Sequence, residues 1–247
     1  MSVPFTGPPG EAGRTHVPET ERVRDAARAG GLAAGLRRVL DAGRTVPCSA
    51  RGRAVLPAGT AGTVPGWRLP GGVLPGRAAR VRRLRHPLAA TERLELVEVR
   101  PGDAGERASR ARSDPAADAI GLAAVRIGVA EAALDRATAH LSGRTADGTP
   151  LAGRQLVQGA IADAVVALEL CAAALEPDAA AEATAAEGTA AEDAAADVHR
   201  RLADTEWSIA RLFGGSGYLL DGPARALYLA RLVADAWTAP SDPGRWG

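Results

Sequence analysis

The chain has 247 residues with 30 basic and 29 acidic side chains, and it is 46% hydrophobic but only 3% aromatic. This length allows one or two domains, with cores built from Ala, Val and Leu in helices. Two cysteines far apart exclude a disulfide-stapled secreted scaffold and imply a reduced, cytoplasmic chain; the sequence has neither a signal-peptide pattern nor an uninterrupted apolar run of eighteen residues, so no membrane span is expected.

The balanced total hides a split. Residues 1–113 carry 20 Arg against 10 acids, and residues 114–247 carry 10 Arg against 19 acids, with no Lys in either part. The boundary divides the chain into two chemically distinct segments, and the basic one is suited to dock on the acidic segment of a partner.

In chain order, Val23, Ala26, Ala27, Leu36 and Leu40 predict one helix over 18–40, weakened at Gly30 and Gly31. From 42 to 76 the Gly and Pro density excludes a regular helix and leaves room for short strands only, such as 66–69. Two better strand candidates follow at 78–84 and 94–100, and 101–114 reads as a charged linker.

Beyond Pro115 the helical signal strengthens. Ile120, Ala123, Ala124, Ile127, Ala130, Leu134, Ala137 and Leu141 line one face of a helix over 116–142, with Gly143 as its stop. A second helix spans 154–175. The acidic Ala/Glu stretch 178–197 runs into a third, 190–213, which buries Val198, Leu202, Ile209 and Leu212 before Gly214 and Gly215. A fourth spans 223–237, with Pro223 at its start. Four such helices predict an up-down bundle over 114–247, preceded by a small β segment and one N-terminal helix, a mainly α fold.

The chemistry of several common sites is missing. Four His and two Cys stand without ligand spacing, so no metal site is expected; a Walker loop needs Lys; and no Ser sits in a Gly-x-Ser-x-Gly elbow. Arg77, Arg80, Arg82, Arg83 and Arg85 form a basic cluster, but without interleaved aromatics it reads as a solvated strand edge rather than a nucleic-acid surface.

Taken in order, the signals of the last four helices form a pattern. Ile127-Gly128 in an Ala-rich helix is followed by Arg144, Gly148, Gln155-Leu156-Val157-Gln158, Ala162-Asp163, Phe213-Gly214-Gly215-Ser216-Gly217-Tyr218 and Pro223. Over 116–237 this resembles the C-terminal helical domain of the flavin-dependent acyl-CoA dehydrogenases. More weakly, 66–72 and 94–99 are similar to two strands of that family's middle β domain, and the helix 18–40 stands where the family has a helical bundle.

The resemblance implies FAD, an acyl thioester substrate in fatty acid metabolism, and oligomers assembled through the bundle. It places Arg144 at the pyrophosphate of a neighbouring subunit's FAD and Gln155 at the cofactor. Gly214 and Gly215 stand where the backbone approaches the adenine end. Arg211 takes the place of a cofactor-facing Gln. Further positions depart from the family pattern: Asp147 replaces an aromatic residue, Leu229-Ala230 an Arg-Asp pair, and Thr238 the catalytic Glu. In some members the base that removes the α-proton lies earlier, at the position of Asp118, which also reads as a first-turn acid favoured by the helix dipole. Two readings follow: an FAD-dependent dehydrogenase oxidising an acyl thioester at its α,β bond, or a non-catalytic subunit of a hetero-oligomeric dehydrogenase.

Overall fold

The computed structural model describes residues 18–41, 43–102, 114–176, 189–219 and 222–238. The expected N-terminal helix is two helices, α1 (Glu19–Gly30) and α2 (Leu32–Leu40). Gly31 separates them at φ +77°, a conformation that costs a residue without a Cβ little, and its N–H closes α1 on the Ala27 carbonyl at 2.9 Å.

Six strands follow: β1 (Val46–Pro47), β2 (Arg53–Pro57), β3 (Gly66–Leu69), β4 (Gly72–Pro75), β5 (Ala79–Leu84) and β6 (Leu94–Pro101). They form two three-stranded sheets, ordered β1-β3-β4 and β2-β6-β5; β1 runs parallel to β3 and the other pairs are antiparallel. Sequence periodicity reveals β3, β5 and β6 but misses β1, β2 and β4. The reason is visible in β2, where Ala54, Val55 and Leu56 are all buried. Its pleat sends Ala54 and Leu56 into a small core with Val46, Trp67, Val97 and Val99, and Val55 into the main helical core. A strand covered on both faces shows no polar alternation.

The central element is α3 (Pro115–Ser142), with Asp114 as N-cap accepting from the Ala117 N–H at 3.0 Å and Pro115 in the first turn. It is buried through most of its length and packs against α1, α2 and the three helices that follow. Gly128 sets the approach of α1: a Cβ there would lie 2.1 Å from the Arg24 carbonyl oxygen. A hairpin unseen in the sequence, β7 (Thr145–Ala146) and β8 (Thr149–Pro150), joins α3 to α4. Its two turn residues, Asp147 (φ +53°) and Gly148 (φ +77°), both take the left-handed conformation that tight hairpins use.

The bundle continues with α4 (Gln155–Ala173), α5 (Thr189–Leu212) and α6 (Arg225–Thr238). The last begins two residues after Pro223, because 222–224 form a turn. At the end of α5, Phe213 is buried and Leu212 only half-buried, a one-residue shift of the expected core face. Much of the acidic stretch 178–197 lies outside the described residues. By length and composition α4 could cross a membrane; it packs Ala164, Leu168 and Cys171 into the bundle and leaves Leu156, Val165, Val166 and Leu170 exposed.

The charge split is used within the chain. Arg24 Nε donates to Glu131 at 2.9 Å, Arg28 pairs with Asp135 at 2.9 Å, and Arg225 of α6 pairs with Glu92 at 2.8 Å, just before β6. Ion pairs of both polarities therefore join the two segments within the chain.

Candidate functional site

Asp118 lies in the first turn of α3 and is 3% exposed. Its carboxylate bridges two guanidiniums, with Arg68 of β3 at 3.1 Å and Arg44, just before β1, at 3.5 Å. Burial raises its pKa, and the two arginines pull against that rise. Around this junction Thr45 Oγ1, Trp67 Nε1 and Arg68 Nε are buried with no hydrogen-bond partner among the described residues. The sequence singles out Asp118 but not Arg44 or Arg68. The only hint of the pairing is the alternation of β3, which turns Arg68 away from the core that holds Trp67.

The residues implied for the cofactor stand elsewhere. Arg144 follows the end of α3 and Gln155 opens α4, the two joined by the β7–β8 hairpin; both are exposed. Gly214 and Gly215 begin the 3₁₀ turn after α5 and are also exposed, and among the described residues a Cβ on either would meet nothing within 4 Å. Contact between His140 and Phe213, with ring centroids 5.9 Å apart, brings the ends of α3 and α5 together. Arg211, in the last turn of α5, lies at this same end and is exposed. Asp147, the residue at the position where the family pattern has an aromatic one, is paired with Arg154 at 3.2 Å. Arg144 is 26 positions beyond Asp118, about 39 Å along a helix rising 1.5 Å per residue. The fold therefore gathers Arg144, Gln155, Arg211, Gly214 and Gly215 at one end of the bundle and sets Asp118 at the other. Thr238 ends α6, with its hydroxyl donating to the Ala234 carbonyl at 2.8 Å.

Between these ends lies a buried ionic network that sequence reading misses. Arg126 of α3 makes a two-pronged pair with Glu206 of α5, at 2.9 and 2.7 Å, and its Nη1 contacts His199 Nδ1 at 2.8 Å. Arginine only donates, so Nδ1 accepts; the ring proton is on Nε2 and donates to the Ala119 carbonyl at 3.0 Å. Burial, with Arg126 adding to it, lowers the His199 pKa from 6.5 to about 4.

The consequence for stability has a definite sign. Between pH 6.5 and 4 the unfolded chain binds a proton at this site that the native chain refuses. Stability from His199 is complete above pH 6.5 and falls by about 3 kcal/mol as the pH drops to 4. Raised carboxyl pKa values at Glu206 and Asp118 act in the opposite direction. The contribution is therefore read as a difference. Urea unfolding of His199→Gln and wild type should show a pH slope between 6.5 and 4 that is flatter in the variant; equal slopes would mean that the imidazole is not desolvated.

The basic cluster of β5 is partly neutralised across the sheet. Arg82 Nε donates to Glu98 and Arg83 Nε to Glu95, each at 2.9 Å, and the pairing of Glu98 with Arg82 and Arg100 lowers its pKa.

Comparison with known proteins agrees with this architecture. The acyl-CoA dehydrogenase C-terminal domain matches residues 116–239. A search of curated proteins finds no significant match. Among solved structures, the Tcur3481-Tcur3483 steroid ACAD is similar at 20% identity and a TM-score of 0.52, with 87% of this chain and 74% of that one covered. A glutaryl-CoA dehydrogenase from Mycobacterium smegmatis in complex with FADH2 is similar at 16% identity and a TM-score of 0.51, covering 80% and 58%. The electron transferring flavoprotein of Acidaminococcus fermentans gives 21% identity and a TM-score of 0.51, covering 66% and 47%. The chain thus spans about half the length of several structures that it resembles. With the family's C-terminal domain matched over half of the sequence and its helical architecture present, the chain belongs to the acyl-CoA dehydrogenase family.

Proposed function

We propose that this chain is a subunit of an FAD-dependent assembly that oxidises acyl thioesters, and that its bundle completes the cofactor site of a neighbouring subunit. The observation that carries this reading is the placement of Arg144, Gln155, Gly214 and Gly215 together at the end of the bundle away from Asp118. These residues fit the tail of a flavin dinucleotide. Arg144 is an exposed guanidinium suited to a phosphate, and the two exposed glycines leave open space through which a ligand reaches the backbone. When bound, FAD supplies the hydride acceptor. Asp118, held by Arg44 and Arg68, serves as an ion pair tying α3 to the β1-β3-β4 sheet. A second reading, in which Asp118 is the base of a complete dehydrogenase, is favoured by the burial that raises its pKa.

The test is FAD uptake followed by visible absorption, with light scattering to report the assembly. Arg144→Ala should lower flavin occupancy at least tenfold without changing the fold, and Asp118→Asn should leave occupancy unchanged. Acyl-CoA-dependent bleaching of the flavin that Asp118→Asn abolishes would establish the second reading. Occupancy indifferent to Arg144→Ala would remove that residue from the site.

A further inference from the structure

The groove between α5 and α6, closed by the connection from β5 to β6, forms a cleft of about 480 Å³, within the usual range for small-molecule sites. It concentrates side chains that this sequence otherwise uses sparingly. Among the described residues, Trp67, Phe213 and Trp237 are buried, whereas Trp207, Tyr218 and Tyr228 are 54%, 57% and 55% exposed, and all three line this cleft. Trp207 meets Tyr218 edge-on with ring centroids 5.6 Å apart, and His86 stacks on Tyr228 at 6.5 Å with an interplanar angle of 22°. The apolar floor includes Leu88, Ala203, Ala210 and Leu227. Half-exposed aromatic rings gain little of their burial energy from the fold, and such rings grouped in a concave site are the side chains that dominate recognition.

The charges at the rim give the ligand a sign. Glu206 is held by Arg126, and Arg225 is committed to Glu92 at 2.8 Å. Arg231 reaches the cleft with no salt bridge among the described residues, and acts on Glu206 and Asp235 through space only. One guanidinium is therefore left to meet an anion beside a slot walled by rings.

We propose that this cleft binds a flat aromatic or fused-ring molecule carrying one anionic group. The rings lie between the Trp207–Tyr218 and His86–Tyr228 pairs, and the anion is met by Arg231. The site uses none of Arg144, Gln155, Gly214 and Gly215, although its Tyr218 ends the 3₁₀ turn that Gly214 begins.

Two fluorescent probes that differ by one sulfonate group test it on the full chain: 8-anilino-1-naphthalenesulfonate and its uncharged relative N-phenyl-1-naphthylamine. Trp207→Ala and Tyr228→Ala should each weaken both probes at least tenfold, and Trp207→Phe, which keeps a ring, should restore most of the loss. Arg231→Ala, a change at an exposed position, should weaken the sulfonate about fivefold and leave the neutral amine unchanged. Leu156→Ser on the exposed face of α4 should affect neither. The proposal is overturned if binding follows Leu156→Ser, if it survives both ring deletions, or if Arg231→Ala weakens the two probes equally. It is also overturned if light scattering shows that Tyr228→Ala converts a dimer to a monomer, because the occupant is then a second copy of the chain.

Discussion

Arg126→Met should lower the unfolding free energy by about 3–5 kcal/mol, the usual cost of stranding one member of a buried ion pair. At about 2–4 °C per kcal/mol for a chain of this size, the melting midpoint should fall by roughly 10 °C. The side chains of Arg126 and Glu206 are 2% and 5% exposed, so water cannot replace the lost guanidinium. Methionine has similar bulk but no donors. It leaves the Glu206 carboxylate without either of its bonds at 2.9 and 2.7 Å, and His199 Nδ1 without its donor. Replacing both members of the pair, Arg126→Met with Glu206→Leu, should recover much of the loss, since two matched apolar side chains leave no buried charge behind. Chemical denaturation of the two single variants and the double variant, followed by circular dichroism, gives the coupling directly. A loss under 1 kcal/mol for Arg126→Met would mean that solvent reaches the pair and that α3 and α5 are held by apolar packing alone.

Trp237→Ala should cost about 3–5 kcal/mol, the range for truncating a buried aromatic side chain, and should also loosen the contact between the bundle and the β segment. Trp237 is 6% exposed near the end of α6, and its indole N–H donates to the Val55 carbonyl at 3.0 Å. Among the described residues β2 is an edge strand, paired with β6 alone, so this bond satisfies a backbone group that the sheet leaves unused. Val55 itself packs into the helical core, so removal of the indole opens a cavity and exposes the strand edge together. Trp237→Phe should lose less, about 1 kcal/mol from the hydrogen bond and a further amount from the smaller ring. Amide exchange across β2 should accelerate in Trp237→Ala while that of α3 changes far less. Equal acceleration in both would show that the sheet and the bundle open as one unit.

The helices of the C-terminal half are legible in the sequence because their signals are local. Apolar spacing from Ile120 to Leu141, Pro115 at one end and Gly143 at the other define α3 to within a residue. The order of Gly128, Arg144, Gln155 and Gly214-Gly215 carries the family, because the joint spacing of several weak signals is specific where each alone is not. The β segment is less legible. β2 shares its side chains between two cores, and β7–β8 is a two-residue hairpin whose only mark is Asp147-Gly148, so periodicity fails for both. The break at Gly31 is foreshadowed by the Gly30-Gly31 pair, but only the positive φ shows that a turn follows.

Site placement is decided by tertiary structure. Nothing near Asp118 in sequence reveals that Arg44 and Arg68, 74 and 50 positions earlier, converge on its carboxylate. Likewise, Arg126, His199 and Glu206 are unremarkable polar positions until α3 and α5 are packed face to face. The sequence by itself determined the helical architecture and the family, since these depend on spacing along one stretch of chain. Which charges are buried together, which aromatic rings share a cleft, and which end of the bundle carries each group were decided only by the packing, because a contact between distant residues has no local signature.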